Sequence, residues 1–149
     1  MFEIESKKQN EITISTKQTT VTFDVDECVI VANIGVGKIQ GAGEFEIGDV
    51  AIRGVAVGNG RTIYDAEVSG VHIGIIGGIE EGLDELGISD ILCTSSVKAI
   101  KEIGPKMVIA MGNLDGMVTD LKVAARAEKK IKIKNADALP NTLEVVALN

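Results

Sequence analysis

The run Val50-Ala-Ile-Arg-Gly-Val-Ala-Val57, Gly58-Asn59-Gly60, Arg61-Thr62-Ile-Tyr-Asp-Ala-Glu-Val68, Ser69-Gly70, Val71-His72-Ile-Gly-Ile-Ile76 decides how the rest of the chain is read. Three stretches rich in Val, Ile and Thr, at Val50 to Val57, Thr62 to Val68 and Val71 to Ile76, are separated by turn residues alone, which predicts three consecutive strands. Asn59-Gly60 suits a type I′ hairpin because both residues tolerate positive φ, and Ser69-Gly70 makes the second corner. The segment is therefore an antiparallel meander.

Upstream, the first 33 residues also read as strands: Glu11 to Thr16 with Ile12 and Ile14 on one face, Thr19 to Asp24, and the short apolar run Cys28 to Ala32. Asp24-Val-Asp26-Glu27 between the last two is a solvated acidic turn, since two carboxylates without further oxygen ligands make a poor cation site. Gly41-Ala-Gly43 resembles the start of a phosphate loop. The third glycine of the fingerprint is missing, however, and Glu44-Phe45-Glu46-Ile47 alternates like a strand where a helix is required, so a dinucleotide site is disfavoured.

Downstream the pattern turns to alternating helix and strand. Ile79, Leu83 and Leu86 recur at helical spacing behind Glu80 and Glu81, with Gly87 closing the helix. Ile88 to Thr94 reads as a buried strand, Ser95 or Ser96 as the cap of a helix carrying Val97, Ile100 and Ile103, and Met107 to Met111 as the next strand. A longer helix starts at Asn113 and runs through Leu114, Met117, Val118, Leu121, Ala124 and Ala125 toward Lys129 and Lys130. Strands at Lys130 to Lys134 and Leu143 to Leu148 close the chain.

Composition bounds the function. A chain of 149 residues that is 45% hydrophobic suits a single domain over residues 1–149, burying about two thirds of its unfolded surface. With aromatics at 3% and no Trp, the core is built from aliphatic residues. Fifteen basic against 22 acidic residues give a net charge of −7, which argues against nucleic acid and anionic membranes as partners. The lysines at 129, 130, 132 and 134 alternate with Ile131 and Ile133, as on a strand with one solvated face. Cys28 and Cys93 sit singly in apolar runs and read as buried free thiols. No secretory leader and no span long enough for a bilayer is recognisable, so the expected location is cytoplasmic.

The order of segments resembles the metallo-β-lactamase-fold hydrolases, in particular a small branch that includes lactonase-like proteins. The resemblance is carried by Gly41-Ala-Gly43-Glu44-Phe45-Glu46-Ile47, Thr62-Ile-Tyr64-Asp-Ala-Glu67-Val, Gly70-Val-His72-Ile-Gly-Ile-Ile-Gly77, Ala99-Ile-Lys-Glu-Ile-Gly-Pro-Lys-Met-Val-Ile and Lys134-Asn-Ala-Asp137-Ala-Leu-Pro140. It covers roughly the last 110 residues and implies an αββα sandwich of mixed sheets with about three helices, reduced in its N-terminal half.

The same resemblance implies zinc chemistry that this sequence lacks the donors to perform. Such a centre typically needs three or more protein ligands per metal, and the chain holds one histidine, His72. The family's His-x-His-x-Asp-His cluster has no counterpart, because Val29-Ile-Val-Ala-Asn33-Ile-Gly35-Val leads straight to Gly41, with tens of residues missing. Its long loop shrinks to Gly58-Asn59-Gly60, its bridging Asp aligns with Gly78, and its last His aligns with Gly112. His72 matches no ligand position and reads as a surface or hydrogen-bonded strand residue.

These readings give no catalytic residue, no metal ligand and no cofactor. The leading expectation is a non-catalytic protein acting in binding, scaffolding or homo-oligomeric assembly, a dimer being favoured. Its motive is that a shortened first half should leave apolar surface for a partner to cover. The alternative is a small-molecule binder or residual hydrolase using a vestigial cleft near Gly58, Asn59, Gly78, Gly112 and Asn113, with a ligand not specified by sequence.

Overall fold

The computed structural model describes residues 1–33 and 38–149. The expected deletion of the first ligand cluster falls partly on residues 34–37, outside the described residues. Five strands open the chain: β1 (Phe2–Glu5), β2 (Glu11–Ser15), β3 (Thr20–Asp24), β4 (Val29–Ala32) and β5 (Lys38–Gln40). Then follow β6 (Gly43–Ile47), β7 (Val50–Val57), β8 (Arg61–Val68) and β9 (Val71–Gly77). Helix α1 (Leu83–Leu86), β10 (Ile91–Thr94), α2 (Val97–Ile103), β11 (Met107–Ala110) and α3 (Leu114–Leu121) alternate, and β12 (Ala125–Glu128), β13 (Lys130–Ile133) and β14 (Glu144–Leu148) close the chain.

The strands form two sheets, one of six in the order β13-β1-β2-β3-β4-β5 and one of eight in the order β12-β14-β11-β10-β9-β8-β7-β6. The six-stranded sheet is antiparallel throughout. The other changes from antiparallel to parallel at β9, which pairs with β8 one way and with β10 the other. Alternation along each strand aims one row inward, so that Ile131 and Ile133, Phe2 and Ile4, Ile12 and Ile14, Val21 and Phe23, and Ile30 are all buried. Tyr64, Ala66, Val68, Val71, Ile73 and Ile75 answer from the other sheet. Each buried branched side chain contributes about 1.5–3 kcal/mol, which replaces the aromatic packing the composition lacks.

The helices form one layer. α2 contacts both α1 and α3, while α1 touches β8 and α2 touches β10, so the layer covers the eight-stranded sheet. Among the described residues no α-helix precedes β9. The outer face of the six-stranded sheet is polar instead of apolar. Glu3 pairs with Lys130 and Lys132 at 3.2 and 3.8 Å, and Thr13 bonds Thr22 at 2.9 Å. Among the described residues the large exposed hydrophobic side chains are Met1, Val31 and Ile88. Among the described residues the expected broad apolar surface is therefore absent, because Thr, Glu and Lys occupy the outward positions.

Four sequence expectations need correction. β1 was not anticipated; it is a four-residue strand whose place depends on pairing with Ile131 and Ile133, far along the chain. The helix expected from Ile79 shrinks to Leu83–Leu86, because Gly82 adopts φ +73° and the two acids bond elsewhere, Glu80 accepting from Ser96 Oγ and Glu81 from Gly58 N–H. The strand expected from Ile88 starts at Ile91, with Ile88 itself 77% exposed. The long third helix ends at Leu121, where Lys122 turns left-handed at φ +56°. Ala125–Glu128 then forms a strand parallel to β14, since pairing outweighs the helix preference of alanine.

The turns behave as anticipated. Asn59 and Gly60 lie at φ +64° and +70°, and Ser69 and Gly70 at +53° and +75°. Ser96 is the cap of α2, its Oγ accepting from Ala99 N–H at 3.0 Å. Asp24 Oδ1 accepts from the N–H groups of Asp26 and Glu27, and Asn10 donates to the Asp26 carboxylate, so hydrogen bonds within the turn and from Asn10 fix it. Cys28 and Cys93 are buried and unpaired, and burial pushes the Cys93 thiol far above its ordinary range.

Candidate functional site

The loops at the carboxyl ends of β9, β10 and β11 lie together, as parallel strands require. Thr94 Oγ1 donates to Gly77 O at 2.6 Å, Ser95 N–H donates to the same carbonyl at 3.0 Å, and Met111 N–H donates to Thr94 O at 2.9 Å. A Cβ on Gly78 would stand 3.3 Å from Ser95 Oγ, and Asn113 Nδ2 donates to Ser95 O at 3.2 Å. Gly78, Gly112 and Asn113 thus share a rim around Ser95. Gly58 and Asn59 occupy the hairpin beyond, bridged to the rim by Glu80 and Glu81.

Asn113 differs from its expected role. It stands at the start of α3 in left-handed geometry, φ +56°, and its side chain makes no cap bond because it is held by Ser95. Beside the rim, the sheets close on each other. Tyr64 Oη donates to Cys28 O at 2.6 Å across the sandwich, and a Cβ on Gly77 would stand 3.3 Å from Val25 Cβ. The gap among Phe23, Val25, Cys28, Tyr64 and Ile76 has no room for a water.

The zinc that the resemblance implies does not fit the residues present. Gly78 and Gly112 offer no donor side chain, Ser95 and Asn113 are neutral, with the Asn113 amide donating to the Ser95 carbonyl, and His72 is on another strand face. Among the described residues no three His, Cys, Asp or Glu side chains converge as a metal centre needs.

The chain's one imidazole belongs to a second constellation, which sequence reasoning missed. Hairpin register sets Glu67 opposite His72, Asp65 opposite Gly74, and Arg53 opposite Asp65. All face the helix side of the sheet. His72 Nδ1 lies 3.1 Å from Asp65 Oδ2, His72 Nε2 lies 3.6 Å from Glu67 Oε2, and His72 N–H donates to Asp90 Oδ2 at 2.9 Å. Arg53 donates instead to the carbonyls of Glu85 and Leu86 at the end of α1. The readable signal was the two-residue turn at Ser69-Gly70, which alone implies the Glu67–His72 pairing.

Burial raises the Asp65 pKa above its ordinary 3.8, and the opposing pull of His72 and Arg53 only partly offsets it. For His72, partial burial lowers the pKa, but the hydrogen bond and charge of Asp65, with Glu67 and Asp90 behind it, carry it above 6.5. A raised histidine pKa stabilises the fold fully below the unfolded value and loses that contribution as pH rises through the folded value. Asp65 has the same sign in a window that starts at 3.8. Stability in urea is therefore expected to fall as pH rises past 6.5 and through the raised folded value, and to fall less in His72→Gln. With the imidazole 38% exposed, the difference between the two proteins stays below about 1 kcal/mol.

Comparison with solved structures now bears on the fold. A crystal structure of a proposed zinc-dependent hydrolase of the metallo-beta-lactamase superfamily, from Thermotoga maritima, superposes with a TM-score of 0.71 at 15% identity, covering 100% of both chains. The fold is metallo-β-lactamase-like. The mixed two-sheet sandwich expected from the segment order is thereby established. At that identity the likeness describes architecture and leaves chemistry to the side chains. No protein-family model and no curated protein matches the chain. No helix among the described residues is long and apolar enough to cross a membrane.

Proposed function

We propose that this chain is a non-catalytic protein of metallo-β-lactamase-like fold, acting by binding or assembly. The observation that carries the reading is the rim at the ends of β9, β10 and β11. The positions that the family resemblance aligns with metal donors are Gly78 and Gly112, and the polar side chains beside them, Ser95 and Asn113, are a neutral hydroxyl and a neutral amide, the amide donating to the Ser95 carbonyl. The carboxylates near this rim, Glu80 and Glu81, are engaged by Ser96 and by Gly58 and Arg61, and no imidazole stands beside them to complete a centre that lowers the pKa of a bound water. The filled space behind Tyr64 supports the same conclusion. Two buried thiols, Cys28 and Cys93, suit a reducing compartment, so we place the protein in the cytoplasm.

Assembly as a two-fold dimer is the favoured form. The polar outer face of the six-stranded sheet is a poor surface for it, so the contact is assigned to open sheet edges such as β12, whose backbone groups are unpaired on one side. Elemental analysis of protein purified without chelator is expected to find zinc, iron and manganese far below one equivalent per chain; a stoichiometric metal overturns the reading. Light scattering behind size exclusion is expected to give twice the chain mass at micromolar concentration. A strict monomer removes the assembly role.

A further inference from the structure

On the helix side of the eight-stranded sheet, β6 to β9 extend past the short α1 and leave a groove of about 660 Å³. That is the size of a small-molecule site. Its lining includes Glu44, Glu46, Asp65, Glu67 and His72, with Ile88 on the opposite wall. The lining carries four carboxylates against one arginine and a histidine, and that arginine, Arg53, is committed to the carbonyls of α1. The groove therefore favours positive charge.

A second observation narrows the ligand. Asp65 is only 6% exposed, and one of its oxygens, Oδ1, has no hydrogen-bond partner among the described residues, while the other faces His72. An unpaired carboxylate oxygen in a buried position is costly and accepts only. Next to it, over Gly74 on the neighbouring strand, Ser89 Oγ is also buried and unpaired. A bare metal ion is a poor match, since no three donors converge among the described residues. A cation that brings N–H donors meets the need, and exposed Ile88 offers a surface for an aliphatic stem.

We propose that this groove binds an organic cation, an alkylammonium or alkylguanidinium, whose N–H group bonds Asp65 Oδ1 and whose stem lies along Ile88. Glu44, Glu46 and Glu67 supply the attractive field at its mouth. The site lies on the outside of the sheet, away from the rim around Ser95, and is independent of whether the chain ever carried a metal.

The test is titration calorimetry on the full chain at low ionic strength with n-hexylamine and n-hexylguanidine. Tetramethylammonium serves as a cation without N–H, and hexanoate as the reversed charge. Saturable binding is expected for the first two and not for the controls. Asp65→Asn, which preserves shape, is expected to weaken binding by about tenfold or more, as for a lost charge-assisted hydrogen bond. Ile88→Ser, at an exposed position that folding does not depend on, should remove most of the advantage of hexylamine over methylamine. Binding of tetramethylammonium equal to hexylamine, no saturation with either probe, or undiminished affinity in a folded Asp65→Asn protein each overturns the proposal. If Asp65→Asn fails to fold, amide shifts of the wild-type protein on adding hexylamine decide. Changes centred on residues 65, 72, 74 and 88 support the site, and changes elsewhere or none refute it.

Discussion

Replacing Phe23 by alanine is expected to destabilise the protein by about 3–5 kcal/mol, the range for deleting a buried phenylalanine. Phe23 is 1% exposed on β3 and reaches across the sandwich to Tyr64, ring centroids 5.8 Å apart at a tilted 55°. The neighbouring ring, Tyr64, is tethered through its hydroxyl to Cys28 O and cannot swing in to refill the space. The surrounding residues are on regular strands in both sheets and are pinned by register to Ile12 and Ile30, so collapse into the cavity is limited. Chemical denaturation should show the loss as a lowered midpoint with little change in slope. Thr22→Ala, one residue away on the solvent side of the same strand, removes only the bond to Thr13 and should cost under about 1.5 kcal/mol. Equal costs for the two substitutions would mean that the sheets do not pack as described.

Parts of this fold were legible because their causes are local. The meander from β7 to β9 follows from turn chemistry, and the structure places Asn59, Gly60, Ser69 and Gly70 at the positive φ those turns demand. Gly104 at φ +65° ends α2 for the same reason. What escaped the sequence depends on distant partners. β1 is four residues long and gains its identity from β13, and Ala125–Glu128 becomes a strand only because β14 offers an unpaired side. Glu80 and Glu81 looked like helix-starting acids but serve Ser96 and Gly58.

The two sites divide in the same way. Gly78, Gly112 and Asn113 were grouped through the family resemblance, and the structure places them together around Ser95. The groove could not be grouped from sequence, because Glu44, Glu46, Asp65, Glu67 and His72 come from three different strands and meet only after their registers are set. His72 was read as a surface or hydrogen-bonded strand residue, and its Nδ1 lies 3.1 Å from Asp65 Oδ2. Its true neighbourhood, with the half-satisfied Asp65 behind it, needed the sheet.

Gly82→Ala is expected to cost about 2–5 kcal/mol, the sum of about 1–2 for a left-handed backbone and about 1–3 for overpacking. Gly82 sits at φ +73°, and a Cβ there would stand 2.7 Å from Val57 Cγ1, with Ile63 and Val55 close behind. This loop lays α1 over the outer face of β7 and β8, so the clash has no direction of relief except lifting the helix. Gly60→Ala separates the two contributions. It shares the backbone strain at φ +70° but meets nothing within 4 Å, so it should cost only the conformational part, about 1–2 kcal/mol. The steric part can then be returned. Val57→Ala combined with Gly82→Ala is expected to recover about 1 kcal/mol or more relative to the sum of the two single changes. Such coupling identifies contact between the loop and β7 as the cause. Strict additivity in that double-mutant cycle would show that α1 is not seated on Val57. Because Leu86 and Ile88 form a wall of the groove and follow this loop, lifting α1 should also weaken alkylammonium binding in Gly82→Ala, while Gly60→Ala leaves it unchanged.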